Sequence, residues 1–165
     1  VDADFIESDI LEAMDKVHSK FDIVFASTGV LCWLPDINRF AQTVRHLLND
    51  GGFFYILDGH PFRNVMLDEN GETQPDRIVG NYFRKQVWGY NGLGDYTDPE
   101  VMVEIPSYEW GWTLGEVVSA LCQAGLRIDF LHEFPQYFCN GYTPCDVADD
   151  KVELYPCTFS LKASA

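Results

Sequence analysis

A chain of 165 residues, 47% hydrophobic and 15% aromatic, is too apolar for disorder and has room for one compact domain. Twenty-six acidic residues against eleven Lys and Arg leave a formal charge of -15, which repels phosphate backbones and anionic lipid and argues against nucleic acid and membrane surfaces as partners. No apolar run approaches the roughly 18 residues that a membrane span needs.

The elements read as follows in chain order. Residues 3–7 (ADFIE) form a short strand-like run, and Ser8-Asp9-Ile10 leads into a helical stretch ending at Val17. Residues 21–26 (FDIVFA) are nearly continuous in apolar, β-branched and aromatic residues, as in a parallel strand covered on both faces. Pro35-Asp36 interrupts the chain, and Asp36 is suited to N-cap a helix. Ile37, Phe40, Ala41, Val44, Leu47 and Leu48 then recur at helical spacing, and Gly51-Gly52 is expected to close that helix. Residues 53–57 (FFYIL) are a second buried strand, ending at Asp58. Strand, helix, Gly-Gly, strand is the pattern of a right-handed parallel crossover.

Residues 59–108 differ in texture, with turn formers at Asn70-Gly71, Asn91-Gly92, Asp98-Pro99 and Pro106 among many aromatics. Short strands are expected at 81–88 and 101–105, and an insertion of this length in an α/β domain points to a functional cover. Regular structure returns with the capping box Thr113-Leu114-Gly115-Glu116 and the apolar face Val117, Val118, Leu121 and Cys122, with Gly125 ending the helix. Strands are expected at 126–134 and 154–161, separated by a loop through Gly141-Tyr142-Thr143-Pro144 and Asp149-Asp150. No linker divides residues 1–165, which are expected to form a single domain.

The five cysteines, Cys32, Cys122, Cys139, Cys145 and Cys157, are odd in number, scattered and without C-x-x-C pairing. They read as reduced thiols of a cytoplasmic protein, and no metal is expected. Doubly wound sheets bind ligands at the carboxyl ends of their strands. Those ends are Glu7-Ser8-Asp9-Ile10, Ser27-Thr28-Gly29-Val30 and Asp58-Gly59-His60, small and polar in each case.

FIESDI, FDIVFASTGVLCWLPD, LLNDGGFFYILDGHPF and the final EVVSALCQAGLRIDFLHEFP resemble, in that order and spacing, the later motifs of class I S-adenosylmethionine-dependent methyltransferases. The resemblance spans most of the chain except about 63–107. It implies an α/β fold with an incomplete Rossmann-like methyltransferase sheet and a terminal antiparallel hairpin. It implies S-adenosylmethionine as cofactor, with Asp9 accepting from the adenine amino group and the Ile10 N–H meeting the adenine ring. Ser27, Thr28 and Gly29 would line the methionine end, Gly29 permitting close backbone approach. Trp33 would face cofactor and substrate, or plug the underside of the following helix.

The glycine-rich loop of that family is absent, because Gly92-Leu93-Gly94 follows no clear strand, opens no helix and reads as a turn. The chain is therefore expected to be the carboxyl-terminal portion of a longer methyltransferase and inactive alone. Its 21–26 strand is then an open apolar edge and its 3–7 strand lacks a sheet neighbour, so the isolated chain is expected to aggregate, to form a homodimer through that edge or to require the missing segment.

Methyl transfer requires in-line positioning, and a base only where the acceptor must lose a proton. His60 is the candidate catalytic base, or else a strand-end histidine held by its neighbours; Asp58 and Glu133 stand near it in the expected crevice. Tyr108, Trp110, Trp112, Trp88 and Tyr90 could wall a pocket for a small-molecule acceptor or cover the insertion's own small core. Two other readings remain: a non-catalytic methyltransferase-like binding or dimerisation module, and a nicotinamide-dependent dehydrogenase. The terminal two-strand pattern argues against the dehydrogenase.

Overall fold

The computed structural model describes residues 2–66, 68, 74, 77–83, 87–94, 101–135 and 155–165. Strands β1 (Phe21–Ala26), β2 (Leu48–Gly59), β5 (Arg127–Phe134) and β6 (Thr158–Ser164) form one sheet in the order β1-β2-β6-β5. β1 and β2 run parallel, whereas β6 lies between β2 and β5 and is antiparallel to both. The last strand therefore reverses within a sheet whose other members share one direction. β3 (Val87–Gly94) and β4 (Met102–Trp110) form a separate antiparallel pair.

Helices α2 (Ile37–Leu47) and α3 (Leu114–Gln123) cover one face of the sheet. Asp36 caps α2 by accepting the Arg39 N–H at 2.9 Å. The helix then buries Ile37, Phe40, Ala41 and Val44 against Phe54, Ile56, Phe159, Leu161 and Ala163, and Leu47 is buried as well. Burying each large side chain contributes roughly 1.5–3 kcal/mol before entropy is counted. Thr43 is fully buried on the same helix, its hydroxyl donating to the Arg39 carbonyl at 3.1 Å. The Thr113 capping box forms as expected, and Gly125 ends α3 with a φ of 90°. Ala120 takes the buried place expected for Cys122, which is exposed, because the interface lies a little to the other side of the helix.

Several boundaries depart from expectation. Residues 3–7 form no strand: no described strand pairs with them, and Phe5 is 95% exposed. The expected helix from Ile10 divides into a 3-10 turn, Ile10–Glu12, and the short α1, Ala13–Lys16. Gly51-Gly52 does not close α2, which ends at Leu47; β2 starts directly at Leu48, and Gly51 takes a φ of 81° where the β1–β2 register is irregular.

The expected strand at 81–88 is displaced to β3, so Asn91-Gly92 and Gly92-Leu93-Gly94 lie inside a strand with an irregular register rather than in a turn. Cross-strand pairing with β4 overrides the local turn signal there. The last strand runs further toward the carboxyl end than 154–161, where it can pair with both neighbours at once. The turns at Asn70-Gly71, Asp98-Pro99, 141–144 and Asp149-Asp150, together with Cys139, Cys145 and Tyr96, lie outside the described residues.

β1 is covered on one face only. Val24 and Ala26 face the core, while Ile23 is 55% and Phe25 61% exposed at the edge of the sheet. Phe25 stacks on Tyr55, Tyr55 meets Phe130 edge-on and Phe130 stacks on His132, giving an aromatic band across the outer face.

Candidate functional site

The carboxyl ends of β1, β2 and β5 come to the same border of the sheet, and the residues there are organised by Asp58 and His60. The loop leaving β1 carries Ser27 and Thr28, both exposed, and Gly29 with a φ of 85°. Space beside Gly29 is open: a Cβ built there would meet nothing within 4 Å.

Asp58, at the end of β2, is buried at 4% exposure and accepts four backbone N–H groups. Its Oδ1 takes those of Gly29 and Gly59, each at 2.7 Å, and its Oδ2 takes those of Val30 at 3.1 Å and Leu31 at 3.0 Å. The Gly29, Val30 and Leu31 donors lead into the 3-10 turn Leu31–Trp33, which offers them no acceptor of its own.

Asp9 and Ile10 lie beside the first turn of α2. The Arg39 Nε, in the first turn of that helix, donates to the Leu11 carbonyl at 3.1 Å and holds the Ile10–Glu12 turn against it. Asp9 Oδ1 accepts the Leu11 N–H at 2.8 Å; both Asp9 and Ile10 are exposed. The Ile10 N–H begins a helical turn and has no acceptor within it.

Trp33 is 43% exposed, so it does not plug the helix beneath it. Trp112 is tied instead to the loop before α2, its Nε1–H donating to the Leu34 carbonyl at 2.8 Å. β4 packs against the Leu31–Trp33 turn, which sets the β3–β4 hairpin beside the loop that follows β1. Within the hairpin Trp88 is buried, approaching the Gly111 backbone, while Tyr108 is exposed and tilts against Trp110.

His60 is 6% exposed and packs edge-on against Phe159. Its Nδ1 accepts the Phe62 N–H at 3.0 Å, so the neutral ring carries its proton on Nε2, which donates to Glu133 Oε1 at 2.8 Å. Both ring nitrogens are engaged, and the exposed member of the pair is Glu133. Burial pushes the His60 pKa below its ordinary value against the opposing pull of the Glu133 carboxylate.

Cys32 lies among Asp58, Glu109 and Arg63, and its thiol donates to the Gly29 carbonyl at 3.5 Å. Burial, aided by the two carboxylates, pushes its pKa up to about 12, so it is a thiol and not a nucleophilic thiolate. Among the described residues no group of three or more His, Cys, Asp or Glu is placed to hold a metal.

Sequence reasoning named the border residues but missed the extent of the Asp58 network. The signal was present as an aspartate directly after the apolar run 53–57, beside the strand that leads into the Gly29 loop.

No protein-family description matches the sequence, and no curated protein matches it. Solved structures do. A protein assigned as an S-adenosylmethionine-dependent methyltransferase of Listeria monocytogenes superposes with a TM-score of 0.59 at 16% identity over 87% of this chain. An S-adenosylmethionine-dependent methyltransferase of Mesorhizobium loti gives 0.56 at 20% identity over 92%, and one of Clostridium acetobutylicum gives 0.58 at 12% over 95%. The chain spans 61%, 67% and 62% of the length of these three proteins. At such identities the likeness is one of fold. The described strands and helices are a partial Rossmann-like sheet with a reversed last strand, and the chain has the fold of the S-adenosylmethionine-dependent methyltransferases.

Proposed function

We propose that this chain contributes the carboxyl-terminal strands of an S-adenosylmethionine-dependent methyltransferase acting on a small-molecule acceptor. The observation that carries the reading is the open space at Gly29, on a loop held in place at the carboxyl end of a sheet with this fold.

The residues at the border fit the cofactor. Asp9 and the Ile10 N–H offer an acceptor and a donor of the kind an adenine edge requires, and in this reading Ser27, Thr28 and Gly29 line the methionine end. Trp33, 43% exposed beside that loop, offers an apolar wall. When bound, the cofactor supplies an electrophilic methyl group: the acceptor's lone pair forms the new bond to carbon as the carbon–sulfur bond breaks toward sulfur. The task of the chain is to orient the two reactants and exclude water.

The β3–β4 pair, mostly within residues 59–108, is the substrate-side cover in this reading, because β4 packs on the Leu31–Trp33 turn. A proton released by the acceptor would pass to Glu133, the exposed partner of the pair, with His60 holding that carboxylate in place. The net charge of -15 supports a small acceptor that is not a polyanion. The free thiols of Cys32 and Cys122 support a cytoplasmic setting.

A second reading is a non-catalytic binding or dimerisation module. It is favoured by the bare apolar edge of β1, across which a homodimer would continue the sheet. Titration calorimetry with S-adenosylhomocysteine separates the two. Saturable binding that Gly29→Val abolishes supports the methyltransferase; no binding by this chain, nor by a longer form that carries it, favours the module.

A further inference from the structure

Glycine at position 29 permits a φ of 85°, but it permits many other conformations equally and selects none of them. Something else must choose the conformation of the loop after β1. We propose that Asp58 is its positioning residue: the buried carboxylate, more than the glycine, decides where Ser27, Thr28 and Gly29 stand.

Three observations carry this. The carboxylate gathers the N–H groups of Gly29, Val30 and Leu31, three consecutive residues, onto its two oxygens at 2.7 to 3.1 Å. It is itself anchored, because its own strand pairs with β1 on one side and β6 on the other, and Oδ1 also accepts the Gly59 N–H at 2.7 Å. It is 4% exposed, so water competes little for the carboxylate oxygens. The Cys32 thiol closes the arrangement from the other side, donating to the Gly29 carbonyl at 3.5 Å.

A run of N–H groups of this kind can cradle an anion. Here the protein's own carboxylate fills it, so the loop is not an anion site, and the exposed Ser27 and Thr28 hydroxyls are what it turns toward a ligand. What the loop holds rests on the methyltransferase reading; that Asp58 holds the loop does not.

The test has two arms. In the first, NMR on the wild-type chain looks for through-hydrogen-bond couplings between the amide nitrogens of Gly29, Val30 and Leu31 and the Asp58 carboxyl carbon. Their presence, and their loss in Asp58→Asn together with at least tenfold faster amide exchange at these three residues, is expected. Absence of the couplings in the wild type, or unchanged exchange in the variant, overturns the proposal, and the wild-type measurement decides even if Asp58→Asn does not fold.

In the second arm, S-adenosylhomocysteine affinity is compared among wild type, Asp58→Asn and Leu121→Ala, a core variant under α3. Losing charged hydrogen bonds from the loop should weaken binding roughly 10- to 100-fold in Asp58→Asn. Leu121→Ala should keep its affinity, since general destabilisation does not move the loop. Equal losses in both variants would reduce Asp58 to a merely structural residue and overturn the positioning role. No binding by the wild type would count against the methyltransferase reading, leaving the first arm to decide on Asp58.

Discussion

The Nε2–H of His60 donates to Glu133 Oε1 across 2.8 Å, from a ring that the sheet buries to a carboxylate that stays exposed. This pair makes the acid sensitivity of the protein predictable. Desolvation lowers the His60 pKa in the folded chain, so on acidification the unfolded chain takes up the proton first. The stability is therefore intact above the unfolded value of about 6.5 and falls as pH drops from there toward the folded value. The slope from one such group is at most about 1.4 kcal/mol per pH unit. Melting temperatures from pH 8 to pH 5 should show this decline, and His60→Gln should flatten it; a wild-type curve level through that range contradicts the assignment. The Asp129 carboxyl does not interfere. The Ser164 hydroxyl and then Lys162 hold it at about 2, so its contribution is present above about 4 and is lost only as pH falls toward 2.

Gly52 lies where β1 and β2 first approach. A Cβ there would stand 2.9 Å from the Asp22 carbonyl oxygen and 3.1 Å from those of Asn49 and Phe21, all backbone atoms. Gly52→Ala should destabilise the protein by about 1–3 kcal/mol, because no flexible side chain can yield. Urea denaturation measures this directly, and a variant as stable as the wild type contradicts the close approach.

The capping box of α3 is a milder case. Thr113 accepts the Glu116 N–H at 3.2 Å while Glu116 accepts the Thr113 N–H at 3.0 Å. Thr113→Ala should cost about 1 kcal/mol, seen as a lower urea midpoint with an unchanged slope.

Among the described cysteines the structure orders reactivity. Cys122 is exposed, whereas Cys32 is half-buried with its pKa raised to about 12. Iodoacetamide at pH 8 should alkylate Cys122 well before Cys32, as read by peptide mass spectrometry. Early modification of Cys32 would show that the loop opens.

The outer face of β1 presents Phe21, Ile23 and Phe25 at a sheet edge that no strand among the described residues pairs with. Self-association through this edge should appear in sedimentation velocity as a concentration-dependent dimer. Ile23→Lys should dissociate it, since a buried lysine at a strand pairing is strongly disfavoured. A wild type that stays monomeric at high concentration removes the homodimer.

Much of the fold was legible because it is local. The run FDIVFA coincides with β1, Asp36 caps α2, and the Thr113–Glu116 box opens α3, since each depends on residues within one turn or strand. The failures have a common physical origin. ADFIE has the composition of a strand, but a strand exists only with a partner, and none of the described residues supplies one. Gly92-Leu93-Gly94 has the composition of a turn, yet pairing with β4 keeps it extended. Gly51-Gly52 marks a special backbone, as its composition implies, though inside the entry to β2 and not at the helix end.

For the candidate site the division is similar. Asp9, Ile10, Ser27, Thr28, Gly29 and Trp33 are named in advance by the methyltransferase resemblance, and His60 by its place just after an apolar run. Their roles depend on contacts between residues far apart in the chain, and periodicity carries no information about these. The sequence alone determined the α/β layering, the helix caps and the candidate border for a site, through spacing, capping chemistry and charge. Only the tertiary structure decided that Asp58 reaches back 29 positions to Gly29, that His60 faces Glu133 rather than open crevice, and that β6 enters between β2 and β5. Hydrogen bonds in a dry interior select among arrangements that local preference leaves equal.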